Sequence, residues 1–512
     1  MFASAKCLSG SNGDPLIEKL LHWLPLVTQP CFLVGGAIRD GLLRSLPDLK
    51  ADLTVPAQTY DFDLLVPRGG ISLARCLANE FGAAFYVLDH ERDVGRVVFG
   101  TVGRPDWRVI DVAAYQGITL WEDLARRDFC VNAMAVDLTQ HPLTVLDPLG
   151  GIDDLRAGRL RATSEYALSD DAVRALRAVR LCAQFGFRID PHTAALIHAA
   201  APLLSRISSE RVRDELMKIL SLPNPATSLK QMDTFGLLDV ILPELNTLKG
   251  LPQPGSTKDC FAHSIQVTQA LYNLLEGNHA LPDTVLPYYE HIIQHLATLV
   301  GDGYDRRVLL ILAALLHDIG KPSTFGRHED GNIHYFDHEK VGSQLARKVL
   351  ARLHFSRPVN EWVASIVRWH LRPLLLAREV TVSRRALHRF FRDVGEVGVS
   401  IALLALAENA TADRPEARED SDKVSIVVGQ LLEAYFERRG EIVSPPPLLS
   451  GGEIVDQLGL SPGPLIGTLL RDLQEAQAAG EVTTRAQAWE WIRARVDATP
   501  GRSVRSAGNP SP

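Results

Sequence analysis

The sequence predicts an α+β chain: a mixed sheet with helices up to about residue 150, then helices to the end. Three observations carry this. Between residues 31 and 150, short β-rich runs are broken by Gly, Pro and Asp. From about residue 153, apolar residues recur at helical spacing and strand signals fade. A chain of 512 residues also exceeds a single core, so two to four domains are expected.

The strand runs, in order, are "CFLVGG" (31–36), "DFDLLVP" (61–67), "AFYVL" (84–88), "RVVFGTV" (96–102) and "WRVIDVAA" (107–114), with helical pattern in "ISLARCLANEFG" (71–82). "LPQPGSTKD" (251–259) reads as a linker before a second helical block to about residue 415, within which 276–305 reads as an insertion. "EAREDSD" and "SPPPLLSGG" mark another joint. The division is an N-terminal segment 1–27, an α/β head 28–152, a helical neck 153–250, a helical domain 251–425, a C-terminal helical module 426–498 and a disordered tail 499–512.

Composition narrows the class. A chain 46% hydrophobic and 22% charged is ordinary for a soluble globular protein. No apolar run reaches about 18 residues, so no membrane partner is indicated. "MFASAKCLSGSNGDP" lacks the long apolar core of a secretory signal. Six scattered cysteines without a CxxC pair point to a reducing cytoplasm. The net charge of −7 does not by itself suggest a nucleic-acid binder, but charge is uneven. Residues 156–218 hold 11 Lys/Arg against 7 Asp/Glu, and residues 366–392 hold seven arginines against Glu379 alone. Such stretches are either phosphate-facing surface or plain solvated helix faces.

In "YDFDLLVP" (60–67), Asp61 and Asp63 share one face of a strand, two negative charges at the mouth of an apolar run. Repulsion is relieved if a cation sits between them. Mg²⁺ suits such carboxylates, and two ions about 4 Å apart clamp an attacking hydroxyl and a leaving pyrophosphate. Asp111, at the end of a strand pattern, is the third carboxylate, placed to help bind one metal and draw the proton from an attacking 3′-hydroxyl. Upstream, "LVGGAIRDGLL" (33–43) sets Gly35 and Gly36 at a strand-to-helix turn, where backbone N–H groups can approach an anion, with Arg39 in the following helix.

Downstream, "EDLARRDFCVNAMAVD" (122–137) carries Arg127 and Asp128, the arginine suited to a triphosphate. "DPLGG" reads as the turn closing the α/β unit. "DDAVRALRAVR" (170–180) reads as a helix on which Asp171, Arg174, Arg177 and Arg180 form one stripe and Val173, Leu176 and Val179 a buried arc. Asp171 and Arg174 can pair with the edge of a nucleobase, and Arg177 and Arg180 with phosphates. Further on, "VLLILAALLHDIGKPST" (308–324) is a buried helix ending in His317–Asp318, a pair suited to a divalent transition metal, with His263 upstream and His338 and His370 downstream.

The DxD pair, RRD-x-x-x-NA (126–133), DP-x-GG, the DDxxR helix and "ERVRDE" (210–215), in that order, resemble the class II tRNA nucleotidyltransferase and bacterial poly(A) polymerase family, within the polymerase-beta-like superfamily. The resemblance implies a template-independent transferase extending the 3′ end of tRNA from CTP or ATP. Asp61 and Asp63 would carry the metals, and Gly36, Arg39, Arg127, Arg177 and Arg180 the nucleotide. Asp171 and Arg174 would select the base, braced by Glu210, Arg211 and Glu215. Asp170 and Ala172 stand where the family commonly has Glu and Pro, with no functional group lost. Only "AAYQGIT" (113–119) separates the Asp111 strand from "LWEDLARRD", too short for the usual flexible loop. That resembles enzymes adding only CC, with a separate A-adding enzyme as partner; CCA addition and poly(A) tailing remain alternatives.

Residues 258–415 resemble the HD phosphohydrolase superfamily, which implies one metal held by His263, His317, Asp318 and a distal acid, here Glu408 with Asp413 as rival. The implied reaction is removal of a 2′-phosphate or opening of a 2′,3′-cyclic phosphate at an RNA end; a purely scaffolding HD fold, or an HD phosphohydrolase whose nucleotidyl half merely binds RNA, is the alternative. Residues 450–492 resemble the family's C-terminal RNA-body module, with "GLSPGPLIG" turning into a helix whose N–H groups can meet a phosphate.

Overall fold

The computed structural model describes residues 15–27, 29–45, 61–101, 107–254, 256–277, 281–411 and 417–497. The tail 499–512 and Asp413 lie outside the described residues. The chain divides into two compact units, Met1–Pro243 and Glu244–Pro512.

The first unit is built on a seven-stranded sheet. The five β-rich runs form β1 (Phe32–Val34), β2 (Asp61–Val66), β3 (Ala84–Asp89), β4 (Val94–Phe99) and β5 (Arg108–Ala114). Two further strands, β6 (Ala135–Asp137) and β7 (Val145–Leu146), are too short to leave a pattern in the sequence. A helix at Pro15–Trp23 also went unread within the N-terminal segment. The order is β3-β4-β5-β2-β1-β6-β7, with β2 and β5 parallel and the other neighbours antiparallel.

Strand alternation does the positioning. Phe62 and Leu64 are buried while Asp61 and Asp63, on the opposite face, reach solvent. Each buried apolar side chain of that size stabilises by about 1.5–3 kcal/mol, so a one-residue slip of β2 is strongly disfavoured. In register, Asp63 lies opposite Val34 on β1 and Asp111 on β5, and Asp111 lies opposite Arg96 on β4. Phe32, Val34, Leu65, Leu124 and Ala135 belong to one core cluster under this arrangement.

The stretch 170–180 is not one helix. A short helix, Ala167–Asp170, stops; Asp171 is extended (φ −150°, ψ 93°); the next helix is Val173–Phe185. Asp171 lies outside the helix because its side chain is drawn to Arg211, 2.7 Å away, and its carbonyl accepts from the N–H of Arg174. Val173, Leu176 and Val179 are buried as predicted.

In the second unit, the helices Cys260–Leu275, Arg306–Leu316, His338–Arg352, Arg357–Trp369 and Gly398–Ala410 pack together. Val308 to Leu316 are all buried, which explains the unbroken apolar run. This block is not purely helical. The 276–305 stretch holds a helix, Tyr289–Leu296, and a small hairpin (Leu299–Gly301 with Tyr304–Asp305); a second hairpin pairs Phe325–Arg327 with Ile333–Tyr335. The last module, with helices Gly451–Leu458, Pro464–Ala479 and Arg485–Asp497, buries its own cluster around Ile454, Leu473 and Ile492. Ser450 and Glu453 form a reciprocal capping box at its start.

The arginines of 384–392 do not form an open basic face. Arg385 reaches Glu481 at 2.9 Å, and Arg389 and Arg392 reach Glu475 at 2.5 and 3.4 Å, because the helix Arg384–Val394 packs on Pro464–Ala479. No helix among the described residues is long and apolar enough to cross a membrane.

Candidate functional site

In the head, β1 is followed by Gly35, whose φ of +79° lies in the left-handed region that glycine tolerates. A Cβ there would stand 3.1 Å from Asp63 Oδ2 and 3.4 Å from an Arg127 guanidinium nitrogen. The glycine thus gives room for a carboxylate and an arginine to meet against the backbone that opens the helix Gly36–Ser45. Loss of water within the cleft, then the negative charge of Asp111, pushes the Asp61 carboxyl above its ordinary value, while Arg96 and Lys218 oppose this. Asp63 is also pushed up, first by loss of water and then by Asp111 and Asp61, against the pull of Arg127. Carboxylates crowded this way are short of positive charge, so Asp61 and Asp63 fit a divalent cation.

Asp111 is placed beside them but is engaged: Arg96 donates to both its oxygens, each at 2.7 Å. Arg96 is a site residue the sequence reading missed; its strand pattern carries no sign of the cross-strand pairing.

Behind the carboxylates lies a polar network. Arg177 donates to Asp128 at 3.0 Å, Asn132 donates to the other Asp128 oxygen at 3.1 Å, and Arg39 donates to Asn132 at 2.7 Å. Burial opposes ionisation of Asp128, yet Arg177, Asn132 and the Phe129 N–H hold its carboxyl below the usual range. Arg39 is buried, pairs with Asp40 and lies over the Phe185 ring. Arg180 is held by Glu215 at 2.8 Å, and Arg211 holds Asp171 at 2.7 Å. Arg174 donates to the carbonyls of Ala167 (2.8 Å) and Arg127 (3.3 Å). Asp171 Oδ1 is buried with no hydrogen-bond partner among the described residues.

The short connector is fixed in place. Asp123, itself buried, accepts from the Gln116 N–H at 2.9 Å and lies 3.4 Å from Arg127 Nε; Glu122 accepts from the Ile118 N–H at 2.8 Å.

In the second unit, His317 ends the buried helix and Asp318 follows, both almost wholly buried. His317 Nε2 lies 3.2 Å and His263 Nε2 3.8 Å from Asp318 Oδ2. Ligand atoms of His263, His317 and Glu408 lie within 4.8 Å of one another. His317 Nε2 and Glu408 Oε2 are buried without a hydrogen-bond partner among the described residues, so this donor set fits a transition-metal ion. Burial raises the Glu408 carboxyl, while His317, Lys321 and His338 overcome burial to hold Asp318 well below its ordinary value. Lys321, one turn after Asp318, donates to its Oδ2 at 2.6 Å and was also missed; its spacing was the available signal.

Residues 31–161 match the family described as the poly A polymerase head domain, 186–249 the probable RNA and SrmB-binding site of polymerase A, and 261–424 the HD domain. The A-adding tRNA nucleotidyltransferase of Deinococcus radiodurans is 34% identical over 484 residues, covering 93% of this chain and 98% of that protein. The CC-adding tRNA nucleotidyltransferase of Thermus thermophilus is 32% identical over 487 residues, covering 94% and 96%. In fold, the chain is similar to a CCA-adding enzyme in complex with ATP (TM-score 0.65, 21% identity, 98% of this chain and 100% of that one) and to the Thermotoga maritima CCA-adding enzyme bound to tRNA (TM-score 0.61, 20% identity, 97% and 99%). With its head, RNA-binding and HD regions matched in order and near full-length relatives at this identity, the chain belongs to the tRNA nucleotidyltransferase and poly(A) polymerase family of enzymes.

Proposed function

We propose that this enzyme acts in the cytoplasm on the 3′ end of tRNA, adding C residues from CTP and leaving the terminal A to a separate enzyme. The observation that carries it is the meeting of Asp61, Asp63 and Asp111 beside Arg127 at the Gly35 turn. A CC-adding relative supports the substrate and the added base. The short connector at 113–119, braced by Glu122 and Asp123 of the helix that follows, supports incomplete addition. The A-adding relative favours a second reading, addition of the terminal A alone.

In this reading residues 28–152 do the chemistry, 153–250 select the nucleotide, and 426–498 meet the tRNA body. Asp61 and Asp63 would hold two Mg²⁺ ions, which supply positive charge to the triphosphate and acidify the attacking hydroxyl. The 3′-oxygen bonds to the α-phosphorus, and the bond to the bridging oxygen breaks to release pyrophosphate. Arg127 and Arg177 neutralise the triphosphate, with Asp128 holding Arg177 in place. Asp111 takes up the hydroxyl proton once one of its oxygens leaves Arg96. Asp171 Oδ1 and the Arg174 guanidinium read the base edge. In the other unit, His263, His317, Asp318 and Glu408 would hold a transition-metal ion suited to hydrolysing a phosphoester at an RNA end.

The test offers tRNA ending before the CCA, and tRNA ending in CC, to the purified protein with one nucleotide at a time. CTP alone should add a pair of C residues that ATP does not extend. A single A placed on the CC-ended tRNA, with CTP unused, assigns the terminal step instead. A ladder of A residues on either RNA replaces both readings with tailing.

A further inference from the structure

One row of polar side chains crosses four adjacent strands of the head sheet. Tyr86 on β3 lies opposite Arg96 on β4, Arg96 opposite Asp111 on β5, and Asp111 opposite Asp63 on β2. Residues directly opposite one another share a face and lie within reach of each other. The other face is covered by the helix Gly70–Phe81. A Cβ on Gly95, next to Arg96, would stand 2.6 Å from Ala74 of that helix and 3.2 Å from the Phe85 ring. Gly95 and Phe85 therefore point towards the helix. By strand alternation, Tyr86 and Arg96 point away from it, to the face that carries the carboxylates.

The row is also bonded. Asp111 accepts from Arg96 Nε and Nη2, both at 2.7 Å. The Tyr86 hydroxyl hydrogen-bonds to the same guanidinium. A guanidinium only donates, so the tyrosine oxygen accepts, and Arg96 has more N–H groups than Asp111 uses. Tyr86 is 46% exposed on the edge strand, so its ring adds little to the core. Its hydroxyl is an acceptor already in contact with Arg96, on the side away from Asp111.

We infer that Tyr86 is a positioning residue for nucleotide transfer and acts through Arg96. When Asp111 turns one oxygen into the cleft, Arg96 keeps its bond to the other oxygen and swings the released N–H onto the Tyr86 oxygen. No covalent bond changes in this shift; the guanidinium exchanges one acceptor for another. Without the hydroxyl, the released N–H meets only water, and Arg96 is drawn back onto both oxygens of Asp111. This rests on the transferase reading given above but not on which base is added, because Asp111 serves either.

The test measures single-turnover incorporation by the full chain, with the nucleotide and tRNA that the parent protein uses, over graded concentrations of each. Tyr86→Phe should lower the saturating rate about fivefold, the size of one hydrogen bond's contribution. The half-saturating concentrations of nucleotide and tRNA and the thermal unfolding midpoint should stay where they are. In an Arg96→Met background the same change should alter nothing further, since the group through which Tyr86 works is gone. Arg96→Gln replaces that background if Arg96→Met does not fold. A saturating rate equal to the parent's overturns the role. Rate losses that multiply in the double variant, or a raised half-saturating tRNA concentration at unchanged rate, make Tyr86 an independent contact and overturn its action through Arg96. A parent protein that incorporates no nucleotide overturns the transferase reading and this inference together.

Discussion

Arg96 grips both oxygens of Asp111 at 2.7 Å, and Asp111 sits in register beside Asp63. A carboxylate cluster therefore carries its own cation before any metal arrives. Removing that cation, by Arg96→Met, concentrates negative charge around Asp61 and Asp63. The Mg²⁺ concentration for half-maximal incorporation should fall several-fold, while maximal turnover drops about tenfold or more because Asp111 loses its orientation. A Mg²⁺ titration of single-turnover incorporation checks both; an unchanged midpoint contradicts a role for Arg96 in the charge balance.

Gly35→Ala places a Cβ 3.1 Å from Asp63 Oδ2 at a positive φ. The backbone cost is about 1–2 kcal/mol, a modest loss of stability. Displacing Asp63 and Arg127 should cost far more in catalysis, about a hundredfold in turnover. Thermal unfolding and incorporation rates measured on the same preparation separate the two effects.

Asp128→Ala leaves Arg177 without the partner that now sits 3.0 Å away. A fully buried broken pair costs about 3–5 kcal/mol; Arg177 is partly solvated, so about 2–3 kcal/mol is expected. Denaturant titration should show that loss, and the dissociation constant for nucleoside triphosphate should rise at the same time. If stability falls while nucleotide affinity holds, Arg177 has no part in binding.

His295 lies against Arg306 at 3.0 Å, and burial followed by that guanidinium lowers its pKa from 6.5 to about 4. The folded state therefore keeps it neutral while the unfolded chain protonates near 6.5. Its contribution is intact above the unfolded value and is lost as pH falls from there towards 4. Between about pH 7.5 and about pH 5 this amounts to about 2 kcal/mol. His295→Gln should unfold with a correspondingly shallower pH dependence across that window; equal slopes for both proteins reject the assignment.

Much of the head was legible because β2 alternates: Asp61 and Asp63 had to share a face once Phe62 and Leu64 were buried. The HD pair was legible because an unbroken apolar helix ending in His–Asp has few other uses. Arg96 was not, since its partner Asp111 is set by strand order, which no local pattern reveals. The basic stretch 366–392 left phosphate-facing surface and plain solvated face both open, because the acids that hold its last arginines, Glu475 and Glu481, lie about ninety residues further on. Asp171 was read as helical because its spacing to Arg174, Arg177 and Arg180 is regular, whereas a long-range bond to Arg211 keeps it extended. For Arg96 and Asp171 the deciding interaction spans a sequence distance that periodicity cannot see.

The hydrogen bond from Arg174 to the carbonyl of Arg127 ties two ends of the cleft into one lever. In the reading proposed above, a nucleotide that pushed Arg174 aside would tug on residue 127, and one that recentred Arg127 would reset Arg174, so a misfit at one end would be felt at the other through this bond.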